Sequence, residues 1–407
     1  MTGSLRILAI APTGFFADYG CHVRIRGQMA ALAACGHEVR IVTYPSGRDV
    51  DHLMTSRPAL WPRTATMPVG SSRRKLLLDA LLAPTALAAA LRFPGGPPQV
   101  IHAYLHEGAL LGIGLTWALR FLRRTGHIPL VFDFQGSLVA EMLDHRFLSD
   151  SSLLLPGWQR LERWIDQQPQ AILASSSHAA SLLVRRFGVP AARVTALPDS
   201  VDPLMFRPRI EVSGSQLAGV RERFRVPSDR PIVAYLGLLA PYQGTDLLLQ
   251  ALARFRHHQP RPFGLIMGFP DVQHYQEMAE NLGLAGHVAF TGAVPFEEAP
   301  LCLALGDVAV APKISSTEGS GKLLTYMAAG LPVVAFDTPV HREYLENLGL
   351  YAPVGDAAGL AAALEDALAD PARGARLGLA LRKRAIERFT WNQAAAQIET
   401  VYAGLLQ

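Results

Sequence analysis

Short, predominantly apolar runs that alternate with longer stretches of helical spacing constrain this chain more than any other feature. Residues 5–11 form one such run; residues 23–35 then carry Val23, Met29, Leu32 and Ala33 at helical spacing, and residues 39–44 read as the next strand. A strand buried on both faces is apolar throughout, so this strand–helix–strand order predicts a parallel, doubly wound sheet. The pattern continues through strands at 99–102, 130–135, 172–177 and 194–197, with helices at 109–122 and 178–187. It pauses at the polar segment 206–231, which contains Pro, Ser and Gly and reads as a connection between domains. It then restarts, with strands at 232–237, 263–268, 288–291 and 308–311 and helices at 245–255, 272–283 and 296–305. Helical spacing also covers 356–370, 372–389 and 392–406. Two successive α/β domains are the prediction, and 407 residues suffice for them.

Half of the residues are hydrophobic and 18% are charged, which excludes a disordered chain and provides for large cores. Cys21, Cys35 and Cys302 lack metal-ligand spacing and imply no disulfide framework, so neither is expected. Arg6 precedes only the brief run 7–11, which reads as a first strand rather than a targeting segment; a cytoplasmic location is the default expectation. The net charge of +4 is uneven, since residues 1–205 hold 20 Lys/Arg against 14 Asp/Glu and residues 206–407 hold 18 against 20. The basic first half favours an anionic partner, either a phosphate-bearing substrate or a lipid surface. No nucleic-acid motif occurs, and nucleic acid is not an expected partner. Residues 76–91 are strongly apolar behind Arg73-Arg74-Lys75, but too short to span a bilayer. Two readings stand for them: an interfacial helix with the basic triplet on anionic lipid, or a helix packed on the sheet.

Chemistry concentrates at residues 309–335. Apolar residues 308–311 end at Pro312, Glu318-Gly319-Ser320-Gly321-Lys322 opens a helix over 323–329, and Val333-Val334-Ala335 resumes as a strand. Glycines let backbone N–H groups approach a ligand, and a helix N-terminus suits an anion; an ordinary turn between strand and helix is the plain alternative. In the first domain, Gly20, His22, Arg24 and Arg26 sit at a loop-to-helix junction, where open α/β sheets bind ligands. Arg24 and Arg26 are candidates to hold a phosphate there, against the reading of a solvated helix face. His102, His106 and Gln135 fall at strand ends facing the same crevice, where a structural role is the alternative.

Two such halves with a terminal helix that can cross back resemble the GT-B glycosyltransferase fold, two Rossmann-like doubly wound domains facing a central cleft. The run Leu323-Leu-Thr-Tyr-Met-Ala-Ala-Gly-Leu-Pro-Val-Val-Ala335 resembles the nucleotide-sugar motif of the retaining family GT4 (glycosyltransferase group 1), and Glu318-Gly319-Ser320-Gly321 resembles its Glu-Gly-x-Gly loop. Gly36-His37-Glu38-Val39, residues 197–208, the Gly237 to Gly244 loop and Phe389-Thr-Trp391 with Tyr402 extend the similarity over most of the chain. The resemblance implies an acceptor domain at 1–205, a nucleotide-sugar domain at 206–385 and a crossing helix at 386–407. It implies hexosyl transfer from a nucleoside diphosphate-sugar, with retention and without a metal or other cofactor. Glu318 and Lys322 would then act on sugar and diphosphate. Gly237, Gln243, Gly244, Lys313, Gly319, Ser320, Gly321, Leu323 and Thr325 would line the donor site. Gly20, His22, Arg24, Arg26, His102, His106 and Gln135 would line the acceptor side. The resemblance leaves a lipid, a polysaccharide or a small molecule open as acceptor; the basic first half and the apolar run 76–91 lean towards a lipid-linked or membrane-associated glycan, with the protein peripheral to the inner face of a membrane.

The chain departs from the family pattern in three places. The second carboxylate, expected at Thr325 or Tyr326, is missing; the Arg and Lys of the diphosphate loop are Leu238 and Gln243; and the strand-end histidine of many relatives aligns with Gln135. Lys313 or Lys322, with Arg24 or Arg26, are the residues placed to supply replacement charge. A GT-B-shaped binding or scaffolding protein without turnover is therefore the competing reading. A nicotinamide-binding protein fits poorly, because the first turn lacks Gly-x-Gly-x-x-Gly and no acidic residue ends the second strand.

Overall fold

The computed structural model describes residues 3–18, 20–59, 73–123, 127–145, 147–315 and 317–407, without the side chains of Arg73, Arg74 and Arg123. Its first sheet contains β1 (Arg6–Ala11), β2 (Glu38–Thr43), β3 (Met54–Ser56), β4 (Val100–Tyr104), β5 (Leu130–Phe134), β6 (Ala171–Ala174) and β7 (Val194–Ala196). All pairs are parallel, in the order β3-β2-β1-β4-β5-β6-β7. The second sheet contains β8 (Ile232–Leu236), β9 (Phe263–Met267), β10 (Val288–Gly292), β11 (Val308–Ala311), β12 (Val333–Phe336) and β13 (Leu350–Ala352). It too is parallel, in the order β10-β9-β8-β11-β12-β13. Helices cover both faces of each sheet, which explains why β4, β5, β6 and β11 are buried at every position. Strand order reverses between β1 and β4 and between β8 and β11, the positions at which such sheets open a crevice.

The terminal helix Trp391–Leu406 starts with a reciprocal cap between Thr390 and Gln393. Its Ala394, Ala395, Ile398 and Tyr402 belong to the core that packs β1 and the helix Gly20–Ala34, so the end of the chain completes the first sheet's flank. Gly27 makes this contact possible, because a Cβ there would collide with the Trp391 indole. Gly27→Leu is expected to destabilise the protein by about 1–3 kcal/mol through overpacking. A lower urea midpoint at unchanged slope checks it.

One expectation needs correction, and of the two readings of residues 76–91 the packed helix is the one found. The segment 206–231 is not merely a connection. It contains the helix Gly214–Phe224, started by Ser213, whose hydroxyl accepts from the Gln216 N–H. Leu217, Val220 and Phe224 pack it onto the second core. The apolar run after the basic triplet forms the helix Arg73–Leu91, whose Leu78, Leu82, Ala86, Ala89 and Ala90 face the first core. Only its first turn offers large apolar side chains to solvent, with Leu76 65% and Leu77 53% exposed. The side chains of Arg73 and Arg74 lie outside the described residues, so the triplet is described through Lys75 alone.

Candidate active site

One cleft is lined by residues that follow the C-terminal ends of strands in both sheets, among them Thr13, His106, Gln135, Gly237, Gly268 and Lys313. On the second-domain side, β11 runs into Pro312-Lys313 and the loop that opens the helix Gly321–Ala328. Lys313, 4% exposed, donates from Nζ to the Gly319 carbonyl at 2.7 Å and pairs with Glu318 Oε2 at 2.6 Å. Ser320 donates to His341 Nε2 at 3.2 Å, because His341 Nδ1–H is committed to the Phe336 carbonyl at 2.7 Å. The glycines are required by close approach. A Cβ on Gly319 would lie 2.6 Å from Asp199 Oδ2, and one on Gly321 3.2 Å from the same oxygen. On the partner loop, Gly244 has φ +75 and a Cβ there would collide with the Pro312 carbonyl, so the two loops interlock.

Lys322 bridges these loops. Its Nζ donates to Gln243 Oε1 at 2.7 Å and Tyr235 Oη at 3.3 Å, and lies 4.5 Å from the Tyr235 ring centre. A Cβ on Gly237 would sit 2.7 Å from that nitrogen. The loop that carries Leu238 and Gln243 in place of cations thus receives the Lys322 side-chain nitrogen from the neighbouring helix. Burial, and then the charge of Lys313, depresses the Lys322 pKa well below the usual lysine range, with Glu318 opposing. Thr325 lines the cleft and donates to the Lys322 carbonyl at 2.7 Å. Leu323 does not fit its expected place: its side chain is in the second core and its N–H donates to the Ser320 carbonyl.

The first-domain side differs more from expectation. Arg24 lines the cleft, but its guanidinium is not free for a phosphate. Nε and Nη2 hold both oxygens of Asp133 at 2.8 and 2.9 Å, Nη1 reaches Asp199 Oδ1 at 3.0 Å, and Nη2 also donates to the Leu197 carbonyl. Arg26 bridges the domains instead of facing the cleft, pairing with Glu297 at 3.0 Å and stacking over Phe16 and Phe296. His22 is fully buried; Ala17 N–H donates to its Nδ1 at 2.7 Å, so Nε2–H points at the Thr13 hydroxyl. Burial pushes its pKa down to about 3, and it stays neutral. His102 is a core residue, stacked on Tyr104 with Nδ1 2.6 Å from Tyr402 Oη, and it is not among the cleft-lining residues. Gly20, His106 and Gln135 do line the cleft. Burial works against charge on His106, but Asp166 and Glu162 outweigh it and hold its pKa above the ordinary histidine value.

The sequence reading missed Asp133 and Asp199. The first had a signal: it is the lone charge in the apolar run Leu130-Val-Phe-Asp-Phe134, and a buried charge requires a partner. The domains meet directly around the cleft. A Cβ on Gly136 would lie 2.8 Å from Glu318 Cγ, Phe296 N–H donates to Asp18 at 3.0 Å, and Arg48 pairs with Glu297 at 2.9 Å.

Two parallel Rossmann-like sheets with a shared cleft at their C-terminal edges define a GT-B architecture. Residues 19–199 match the model of the glycosyl transferase 4-like domain, and residues 220–388 that of the glycosyl transferases group 1. The chain belongs to that glycosyltransferase family and is GT4-like. It is 31% identical over 262 residues to the GDP-mannose-dependent alpha-(1-6)-phosphatidylinositol monomannoside mannosyltransferase of Mycolicibacterium smegmatis, covering 62% of this chain and 66% of that protein. The matched part therefore spans just under two thirds of that relative. The MMP alpha-(1->4)-mannosyltransferase of Mycolicibacterium hassiacum is 27% identical over 411 residues, 94% of each chain. Among solved structures, sucrose-phosphate synthase from Thermosynechococcus elongatus shares the fold, with TM-score 0.78, 23% identity and 98% of each chain covered.

Proposed function

We propose that this chain transfers a hexose from a nucleoside diphosphate-sugar to an acceptor hydroxyl with retention of anomeric configuration. The observation that carries this reading is the side-chain nitrogen of Lys322, carried by the helix that the Gly319–Gly321 loop opens and held against the Gly237 loop. Breaking the anomeric C–O bond moves negative charge onto the departing diphosphate. A cation and glycine N–H groups aimed at it stabilise the transition state more than the ground state. Glu318 keeps one oxygen beyond its Lys313 contact, and a carboxylate oxygen accepts hydrogen bonds from sugar hydroxyls. The acceptor's proton passes to the leaving phosphate oxygen, so this chemistry calls for no protein nucleophile and no metal. GDP-mannose leads the donor panel, being the donor named for the Mycolicibacterium smegmatis relative. Mixing the protein with a panel of nucleotide-sugars and acceptors, and following products by NMR, tests the reading. An α-linked product from an α-linked donor supports it; donor binding without turnover would favour a scaffolding protein instead.

A lipid-borne acceptor at a membrane surface is the finer part of this proposal. Among the described residues, no helix is long and apolar enough to cross a membrane. The first domain's rim nevertheless exposes Leu76 and Leu77 beside the cleft residue Lys75, and Phe147 beside the cleft residue His145. Leu153 and Leu154 follow at 97% and 67% exposure, just ahead of the helix Leu155–Asp166. Apolar side chains with a cation at the mouth suit the interface of an anionic bilayer. The Leu153→Ser/Leu154→Ser double variant is expected to lose most co-sedimentation with anionic vesicles while keeping its Tm. Unchanged vesicle binding would remove the membrane from the proposal.

A further inference from the structure

At the acceptor wall of the cleft, where His106 lines it and Glu162 and Asp166 stand behind, three ionisable side chains converge that the proposed transfer does not use. Glu162 and Asp166 stand four residues apart on the helix Leu155–Asp166, a spacing that puts both carboxylates on one helix face. His106, the second residue of the helix Leu105–Arg123, meets them. Its Nε2 lies 3.2 Å from Asp166 Oδ1 and 3.8 Å from Glu162 Oε1, and the three ligand atoms all fall within 4.8 Å of one another. The rings of Phe132 and Phe134 pack edge-on against the imidazole and fix its direction.

All three side chains are buried, at 4%, 1% and 0% exposure for His106, Glu162 and Asp166. Apart from the 3.2 Å contact of His106 Nε2 with Asp166 Oδ1, His106 Nε2, Glu162 Oε1 and both oxygens of Asp166 meet no aligned hydrogen-bond partner, while Glu162 is also held by the Ser137 hydroxyl and the Leu138 N–H. Among the described residues no Lys or Arg pairs with either carboxylate. Buried polar atoms without partners are costly, and two carboxylates beside one imidazole leave an excess of negative charge in a dry place.

We propose that His106, Glu162 and Asp166 form a site for a divalent transition cation. A nitrogen and two carboxylate oxygens suit Zn²⁺ or Mn²⁺ better than Mg²⁺ or Ca²⁺. Ligand bonds of about 2.0–2.2 Å place ligand atoms roughly 3–3.6 Å apart, close to the spacings of His106 with its two partners. The ion neutralises the pair of carboxylates and pins the helix Leu155–Asp166 to the start of the helix that follows β4. Its role is structural, and the transfer chemistry runs without it. This departs from the expectation of a metal-free chain.

Metal analysis of the purified full chain, followed by thermal melting after chelation and after adding Zn²⁺ or Mn²⁺, tests the site. About one tightly held ion per chain is expected, with a Tm that falls by several degrees on chelation and recovers with metal. Asp166→Asn should abolish both the bound ion and the recovery, and bound Mn²⁺ should show as a broadened EPR signal only in the unaltered protein. If the chelated wild-type chain melts identically with and without either ion, the proposal is overturned. That arm needs no variant, so it decides even if Asp166→Asn fails to fold. Metal retained equally by Asp166→Asn would also overturn it.

Discussion

Replacing Lys322 with methionine is expected to lower kcat for sugar transfer by roughly 10²–10³-fold, the scale of removing one preorganised donor from a developing anion. Methionine keeps much of the volume and removes the charge. The arrangement makes this loss severe, because neither Leu238 nor Gln243 offers a second cation in the adjoining loop. Gln243 Oε1 also loses its 2.7 Å donor. A fall in kcat larger than any rise in KM would place the interaction in the transition state; unchanged transfer would remove Lys322 from the mechanism. The same residue gives a pH signature. Its pKa in the free protein is depressed, chiefly by burial and next by Lys313. A bound diphosphate favours the charged form, so around and above the free-protein pKa binding takes up a proton, and affinity falls as pH rises through that pKa. Calorimetry in two buffers of different ionisation enthalpy detects that proton.

Arg24→Met is the second large effect, and it concerns the scaffold beneath the cleft. Asp133 is 0% exposed, and Arg24 holds both of its oxygens while Gln28 supplies a further donor at 2.9 Å. Removing one partner of a buried pair strands the other, at a cost of about 3–5 kcal/mol. Asp199 is released as well, and it lies under Gly319 and Gly321, so the loosened loop should weaken nucleotide binding in addition. Denaturant melts of Arg24→Met, Asp133→Asn and the double variant check the coupling. The double variant should be more stable than the sum of the single losses predicts. Strict additivity would show that Arg24 and Asp133 do not act together.

The alternation of apolar and amphipathic segments made both sheets legible, since a parallel strand buried on two faces leaves a continuous apolar run. The Glu318–Lys322 loop was legible for a related reason: its glycines sit between a strand and a helix, where only backbone can approach a neighbour. What failed were inferences about direction. The strand predicted to end at His102 runs on to Tyr104, so His102 points into the core and meets Tyr402 from the far end of the chain. Arg24 reads as a free cation because its partners stand 109 and 175 positions away. Likewise the helix Gly214–Phe224 hides in a stretch whose polar residues read as a linker, although Ser213 and the spacing of Leu217, Val220 and Phe224 mark it. Local pattern identifies elements; the pairing of charges across the fold is a tertiary fact.

Calorimetric titration with UDP, GDP and ADP tests the donor cradle most directly. One diphosphate should bind clearly more tightly than the other two, and Lys322→Met should weaken it at least tenfold, about 1.4 kcal/mol. No heat and no Tm shift with any of the three nucleotides would contradict the assignment of the Gly319–Lys322 loop as the donor site.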